Sequence, residues 1–424
     1  MGRLRADNIQ NSTGTSGPIF VGPSEFSTTA HIVLPKGTAA ERPVGVSTGA
    51  LRFNTDTLNV EYYNGTDWIE VTWTDPSNRG VFGGGYSVPT TYNIIDYITI
   101  ASTGNATDFG DLTVVRYRLA ACSSSTRGVF GGGATPSISN VIDYITITTT
   151  GNAIDFGDLT VIRSNISGCS SSTRGIFASG WEQTPTASAD NRIDYVTFSS
   201  TGNALDFGDL NQATGREGHG TYPSNSTRGI LNPGGYVSGG TANNTMYYIT
   251  MASTGTALDF GDTSIVRLSA GGMSSPTRGL LCGGYGGPAS DKFTRVDQFT
   301  IATTGNAQDF GDLFTGAYYH GTNWNATRGI VAGGYDSGSN KISDMQVIYI
   351  STSGNSVNWG DLNYTNTVAG CSGSPIRGIV SGGHPNETNI SMFSLITEGN
   401  AVDFGDLTAG TRNHTGCSNA HGGL

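Results

Sequence analysis

Two carboxylates three residues apart recur along the chain as Asp-Phe-Gly-Asp, starting at 108, 155, 206, 259, 309 and 403, with Asn-Trp-Gly-Asp at 358. Paired carboxylates can hold a hard cation, but calcium loops need several oxygens converging over a few residues. Here the pair flanks a Phe-Gly step, and the first Asp is lost at Asn358. The pattern predicts a turn device instead, its second Asp bonding backbone N–H groups or meeting a repeated Arg. The histidines are His31, His219, His320, His384, His414 and His421. They form no His-Glu-x-x-His and no spaced ligand set. No Gly-x-Ser-x-Gly elbow occurs, and His219 and Arg216 make no recognisable dyad. Cys122, Cys169, Cys371 and Cys417 fall at similar places in the repeats below, and no Cys-x-x-Cys occurs. Small buried apolar residues are expected there, not disulfides. No catalytic residue, metal site or cofactor is expected.

Composition limits what else the chain can do. Of 424 residues 63 are glycine, about twice the usual share, and 13% are charged. Eighteen Tyr and seventeen Phe supply core material, and Val, Ile, Thr, Tyr and Phe dominate the apolar runs, which favours strands. The formal charge of −11 leaves no basic stripe for phosphates, so no nucleic-acid partner is expected. No apolar run reaches the length of a membrane span. The first residues, MGRLRADNIQ, carry no apolar signal region, which predicts a protein kept in the cytoplasm of the cell that makes it.

Repeats organise the rest. Arg-Gly followed by apolar residues, then usually a glycine pair, starts at Arg79, Arg127, Arg174, Arg228, Arg278, Arg328 and Arg377, with spacings of 48, 47, 54, 50, 50 and 49. One unit reads RGVFGGG, a loop, VIDYITI, a TTGNA turn, IDFGDL, a loop, then ISGCSSS. That is four short strands in about 50 residues, with period-two alternation. Such units stack around an axis because a small twisted sheet cannot bury its faces alone. The fold class expected is all-β: a seven-bladed β-propeller with four-stranded blades over residues 79–424. The first strand of the unit occurs six times between repeats, near 119, 166, 219, 269, 320 and 368. Its seventh copy is the C-terminal NHTGCSNA, so the last strand is expected to complete the first blade. The Gly-His and Trp-Asp signatures of WD40 repeats are missing. The glycine pair after the Arg-Gly strand, and Arg116, Arg163, Arg267 and Arg412 leading into the next unit, resemble the kelch repeat; the pair is degenerate at FASG (177–180).

Alternating strand direction puts two sets of loops on each face. The turns before Arg-Gly and at Gly-Asn-Ala are uniform; the other two sets vary in every unit, notably NQATGREGHGTYPSN (211–225) and FTGAYYHGTNWN (314–325). Variable loops on a rigid scaffold are where recognition usually lives. The residue after the glycine pair is Tyr86, Ala134, Trp181, Tyr236, Tyr285, Tyr335 or His384, a ring in six of seven units. With Tyr318 and Tyr319, these rings are either a crown of stacking platforms for a sugar or caps on the seams between blades. Box motifs of propeller sialidases and the Tyr/Cys/His constellation of a copper radical oxidase are not found.

Residues 1–30 read as an extended Gly/Ser/Thr-rich arm. Residues 31–78 read as a small β-rich attachment or oligomerisation module: ALRFNT and LNVEYYN joined at Thr55-Asp56-Thr57, then a hairpin at Asn64-Gly65 leading into DWIEVTW. So small a core usually needs a partner or copies of itself. Residues 6–73 resemble a module common in virion and tail-fibre proteins of tailed phages, especially cyanophages. The matching residues are Leu34-Pro35-Lys36-Gly37-Thr38, Arg42-Pro43, Gly49-Ala50-Leu51-Arg52-Phe53-Asn54-Thr55 and Glu61-Tyr62-Tyr63-Asn64-Gly65-Thr66-Asp67-Trp68. The resemblance implies a virion structural protein, assembled in the host cytoplasm, that docks N-terminally on other virion proteins and displays its C-terminal domain. Leu34, Pro35, Arg42, Pro43, Arg52, Phe53, Tyr63 and Trp68 are then candidate attachment residues. A homo-oligomer, a trimer by analogy with fibres, is expected. Host-surface adhesion to a glycan or protein, a purely structural decoration or assembly part, and a polysaccharide-degrading tailspike are the functions weighed; the expectation is not an enzyme.

Overall fold

The structure is a computed structural model and describes residues 34–56, 59–70, 78–135, 137–182, 188–215, 222–231, 236–237, 241–286, 291–292 and 294–420. The expected arm, 1–30, and His31, Arg216, His219 and His421 lie outside them. The chain divides into two compact units, Met1–Trp73 and Thr74–Leu424.

In the first unit Leu51–Asn54, Asn59–Tyr63 and Trp68–Glu70 pair antiparallel, as their alternation and the Asn64-Gly65 turn predict. The sequence did not signal a fourth strand, Lys36–Gly37, which pairs parallel to Leu51–Asn54. A two-residue strand carries no periodicity to detect. The sheet is inverted relative to the usual pattern. Glu61 is fully buried and holds Arg52 at 2.9 Å and Arg42 at 2.7 Å. Leu51, Tyr62 and Ile69, one cross-strand row on the opposite face, are 50%, 38% and 39% exposed.

The second unit is all-β, with many four-stranded antiparallel sheets, of a β-propeller-like class. The second sheet shows the pattern: Ala120–Ser123, Arg127–Gly131, Val141–Thr146 and Ile154–Asp158, paired in chain order. The fifth, sixth and seventh sheets repeat it around Arg278–Cys282, Arg328–Ala332 and Arg377–Ser381; the third, around Arg174–Ala178, does so too but continues past its fourth strand, Leu205–Gly215, into Tyr236–Val237 and Thr241–Ala242. In the fourth, around Arg228–Leu231, a lone Ser224–Gly229 bridge stands where the first strand would be. The first sheet takes its first strand from the far end of the chain: Thr415–Ser418 pairs with Arg79–Gly83, and Ile94–Thr99 and Thr107–Asp111 follow.

Each sheet is apolar on both faces and buries them against its neighbours. Val81, Ile95 and Phe109 of the first sheet pack with Phe130, Ile145 and Ile147 of the second. Ile379, Ile390 and Phe404 of the seventh pack with Phe82, Ile98 and Ile100 of the first. The repeated arginines stitch the same neighbours. Arg79 lies 4.4 Å over the Tyr97 ring and donates to Ile147 O at 3.0 Å. Arg127 does so with Tyr144 and Phe198 O, and Arg377 donates to Ile100 O at 2.8 Å. Packing was expected of these arginines and ion pairs were too; among the described residues none of the seven makes an ion pair.

The Asp-Phe-Gly-Asp phrase is a turn device in which the first Asp bonds the backbone, while among the described residues the second accepts from a hydroxyl in three units, as Asp406 Oδ1 does from Thr388 Oγ1 at 2.8 Å. Asp155 Oδ1 accepts from Gly157 N at 3.0 Å, and Asn358 Oδ1 does the same for Gly360, so the turn keeps its bond without the charge. The second Asp is itself capped from the next sheet: Asn203 Oδ1 accepts from Asp158 N at 3.1 Å, and Asn105 from Asp406 N at 3.2 Å. Among the described residues no three His, Cys, Asp or Glu side chains could share a metal, and no helix is long and apolar enough to cross a membrane.

Candidate functional site

Among the described residues, the glycine pair after the Arg-Gly strand turns the chain in a left-handed conformation, Gly132 at φ 62° and Gly133 at 105°. In the degenerate unit Ser179 takes the first of these positions at 57°. The turn brings the following residue back against the segment that enters the same sheet. Tyr86 bridges Arg412, Ala134 bridges Tyr117, Trp181 bridges Ser164, Tyr285 bridges Leu268, and Tyr335 bridges Tyr318. His384 N donates to Thr367 O at 3.0 Å. Tyr236 departs from this: its strand, Tyr236–Val237, pairs with Gly215 and Ala242, and its side chain lies outside the described residues.

The entering segments carry a second regularity that the sequence hides. Arg118, Asn165, Ser269, Tyr319, Val368 and Asn413, each two residues before a first strand, all have φ between 50° and 58°. Their backbones are chained: Asn165 N to Arg118 O, Arg118 N to Asn413 O, Asn413 N to Val368 O and Val368 N to Tyr319 O, at 2.9 to 3.3 Å. Left-handed non-glycine residues persist only where the surroundings over-determine them. Nothing in their types, from Val to Arg, marks the position, because the hydrogen-bonded partner is in another repeat.

Below this chain of residues the first strands line two contiguous cavities. One, of about 120 Å³, is walled by Leu119, Ile166, His320, Cys371 and His414 among others. The other, of about 170 Å³, is walled by Cys122, Cys169, Asn323, Trp324 and Cys417 among others. Each is smaller than the pockets of about 300–1,000 Å³ that hold drug-sized ligands. His320 is buried, its pKa lowered by desolvation. Burial pushes the thiols of Cys169, Cys282, Cys371 and Cys417 up to about 12, so none is a nucleophile near neutral pH. All five cysteines are free.

The rings fall into two groups. Tyr86 stacks on Tyr117 at 5.1 Å and 29°, with Arg412 5.5 Å over Tyr86 and Arg118 5.5 Å over Tyr117. Tyr318 is the hub of the second group: Tyr285 lies 5.1 Å away, Tyr319 5.4 Å and Tyr335 5.3 Å. Tyr319 and Tyr285 are 6.0 Å apart. All four are half-buried. Trp181 stands apart, half-buried beside Ala189. The carbonyl of His384 accepts from Lys341 Nζ at 3.2 Å, and burial, then Arg412 and Lys341, lower its pKa. Tyr117 was not singled out from sequence; its position after an Arg, not after a glycine pair, gave no signal.

The arginines that enter the units divide in a way the sequence pattern blurred. Arg116, Arg163 and Arg267 are buried, and each Nη2 meets a buried carboxylate of the third strand: Asp143 at 2.5 Å, Asp194 at 2.6 Å and Asp297 at 2.6 Å. A register shift immediately before each of these aspartates turns it toward the arginine. Arg412 does not join them. Its carbonyl bonds Tyr86 N, as Tyr117 O bonds Ala134 N, so Thr411 occupies the place of Arg116.

Of the attachment candidates, Pro35 and Pro43 are exposed, and Leu34, Arg42, Phe53, Tyr63 and Trp68 are half-buried. Arg52 is buried on Glu61, and Trp68 packs 5.6 Å from Tyr63. No known protein-family model matches the chain, and no curated protein matches it.

Proposed function

We propose that the chain is a structural protein of a tailed-phage virion, a tail fibre or tail-associated part. In this proposal it docks through residues 1–78 and presents a seven-bladed kelch-like propeller, residues 79–424, to a glycan or protein of the host surface. The ring is supported by the sequence of contacts between sheets, which runs from the first Arg-Gly sheet to the seventh and from the seventh to the first through Arg377 and Ile100. Docking and homo-oligomer formation are supported by the open row of Leu51, Tyr62 and Ile69. The chain acts by binding, not catalysis.

The observation that carries adhesion is the cluster of Tyr285, Tyr318, Tyr319 and Tyr335 on variable loops. Stacked tyrosines offer rigid, amphipathic area at low entropic cost, suited to the apolar face of a sugar. A second reading, a virion part with no receptor, is favoured by the same stacking, since each ring covers part of its neighbour. The full chain on an array of host glycans separates them. Tyr285→Ala/Tyr318→Ala/Tyr335→Ala should lose about tenfold or more in affinity, the worth of one or two stacking contacts. Binding unchanged in this variant would refute the tyrosine platform. A wild-type chain that binds no host glycan or surface protein would leave the structural reading.

A further inference from the structure

The buried Arg–Asp pair has an internal control, because the sheets that lack the arginine can be compared with those that keep it. In the second sheet Arg116 Nη1 donates to Gly132 O at 2.8 Å and Val141 O at 2.5 Å, while Nη2 meets Asp143. Arg163 and Arg267 make the same three contacts in the third and fifth sheets. The sixth sheet has Ala317 in place of the arginine, and its acid is replaced by Gln346. The seventh has Ser391 for the acid, and the Tyr364 hydroxyl lies 2.9 Å from Gly382 O and 3.0 Å from Asn389 O, the two carbonyls a guanidinium would take. Where the cation is lost, the anion is lost with it.

The first sheet breaks that rule. Thr411 replaces the arginine, yet Asp96 stays, 4% exposed, with no cationic partner among the described residues. Among the described residues its carboxylate accepts only from Thr408, N at 3.0 Å and Oγ1 at 2.7 Å, as Asp143 does from Thr113 beside its arginine. A cavity of about 10 Å³ lies between Asp96, Gly84, Ile94 and Thr411, just enough for one particle the size of a water. Thr411 is 7% exposed, and its Oγ1 has no hydrogen-bond partner among the described residues. Ile94 O accepts from Gly84 N at 2.9 Å, as Val141 O does from Gly132 N, and its second lone pair is the one that Arg116 uses in the second sheet.

We propose that this socket binds one small monovalent cation, of the class of sodium, potassium or ammonium, among the oxygens of Asp96, Gly84, Ile94 and Thr411. The charge matches the single guanidinium charge that the second, third and fifth sheets place there, and the ligands are all hard oxygens. Asp96 has its pKa raised, by burial first and then by Asp108, as a buried carboxylate without its counter-charge must. Tyr92 and His414 are the other titratable groups lining the cavity, beside the apolar Phe82, Leu407 and Ala409. The socket sits in the sheet made from both ends of the second unit. A cation in it ties the third strand to the segment that delivers Thr415–Ser418. This inference does not depend on the adhesive function.

Thermal melting of the full chain at pH 8 and fixed ionic strength tests it, with sodium chloride compared with choline chloride, whose cation is too large to enter. The wild type should melt about 2–4 °C higher in sodium. Thr411→Arg, which carries its own guanidinium, and Asp96→Asn, which needs none, should melt alike in the two salts. If Thr411→Arg does not fold, Asp96→Asn alone decides. In choline the wild type should lose stability as pH rises through the raised pKa of Asp96, because the folded state there holds a proton that the unfolded state has released. Equal wild-type melting in both salts would overturn the proposal in favour of a protonated Asp96 or a bound water. A sodium gap that persists in Asp96→Asn would overturn it too.

Discussion

Arg116 shows how a single residue can be both well paired and costly to disturb. Burial disfavours its charge, and Asp143 is what restores it. The pair therefore adds little by itself, but removing one member strands the other in a place without water. Arg116→Ala should cost about 3–5 kcal/mol of unfolding free energy, read from denaturant melts. Arg116→Ala/Asp143→Ala should cost clearly less than the two single substitutions summed, since neither charge is then left alone. A double variant as damaged as the sum would mean that the two side chains act by packing and not as a pair. The arginine was visible in the sequence as a repeated letter. Its partner was not, because the aspartate sits in the VIDYITI phrase 27 residues later and is aimed by a register shift.

Among elements, the fourth strand shows most clearly what the repeated phrase is for. Gly157 has φ 138°, and a methyl group on it would stand 2.5 Å from the backbone of Gly202 in the next sheet. The glycine lets one sheet's outer strand touch the turn of its neighbour, where Gly202 N donates to Phe156 O at 2.7 Å. Gly157→Ala should thus cost about 2–4 kcal/mol, the sum of backbone strain and a contact that cannot relax. Gly151→Ala should cost less, as open space surrounds that site and only its own conformation resists. Hydrogen exchange at Gly202 is the local readout: it should accelerate in Gly157→Ala. Strands of this kind were legible from alternation and turn residues, and nearly every one formed where the phrases stood. The short strand Lys36–Gly37 and the paired backbone of residues such as Trp181 were not, since two-residue pairings have no period. The candidate rings were legible as residues but not as a site. That Tyr318, not the crown position itself, is the hub depends on the segment entering one sheet meeting both that sheet's turn at Tyr335 and its neighbour's at Tyr285.

At the scale of the molecule the decisive pairing is the one between chain positions more than 330 residues apart, Thr415–Ser418 against Gly80–Gly83. It gives the first sheet its first strand, and Cys417 packs there with Val81. Deleting residues 411–424 should lower the melting temperature of the whole second unit and abolish protection of the Arg79–Gly83 amides first. A deletion variant that melts as the full chain does would mean that the pairing contributes nothing to the stability of the second unit. The cost is global because each core cluster is shared by two sheets, so an edge left open on one exposes the faces of both.

What the sequence determined by itself was periodic: the strands, the uniform turns, the recurring Arg-Gly and Asp-Phe-Gly-Asp phrases, and the presence of an unmatched first-strand phrase at the end. These are local, set by alternation, β-branching and glycine, and each repeat states them again. Tertiary structure alone decided which charges meet, which left-handed residues are held by a neighbour's carbonyl, and that Asp96 is buried with no cationic partner among the described residues. Those outcomes depend on contacts between repeats, whose partners are dozens to hundreds of residues apart and carry no mark in either phrase.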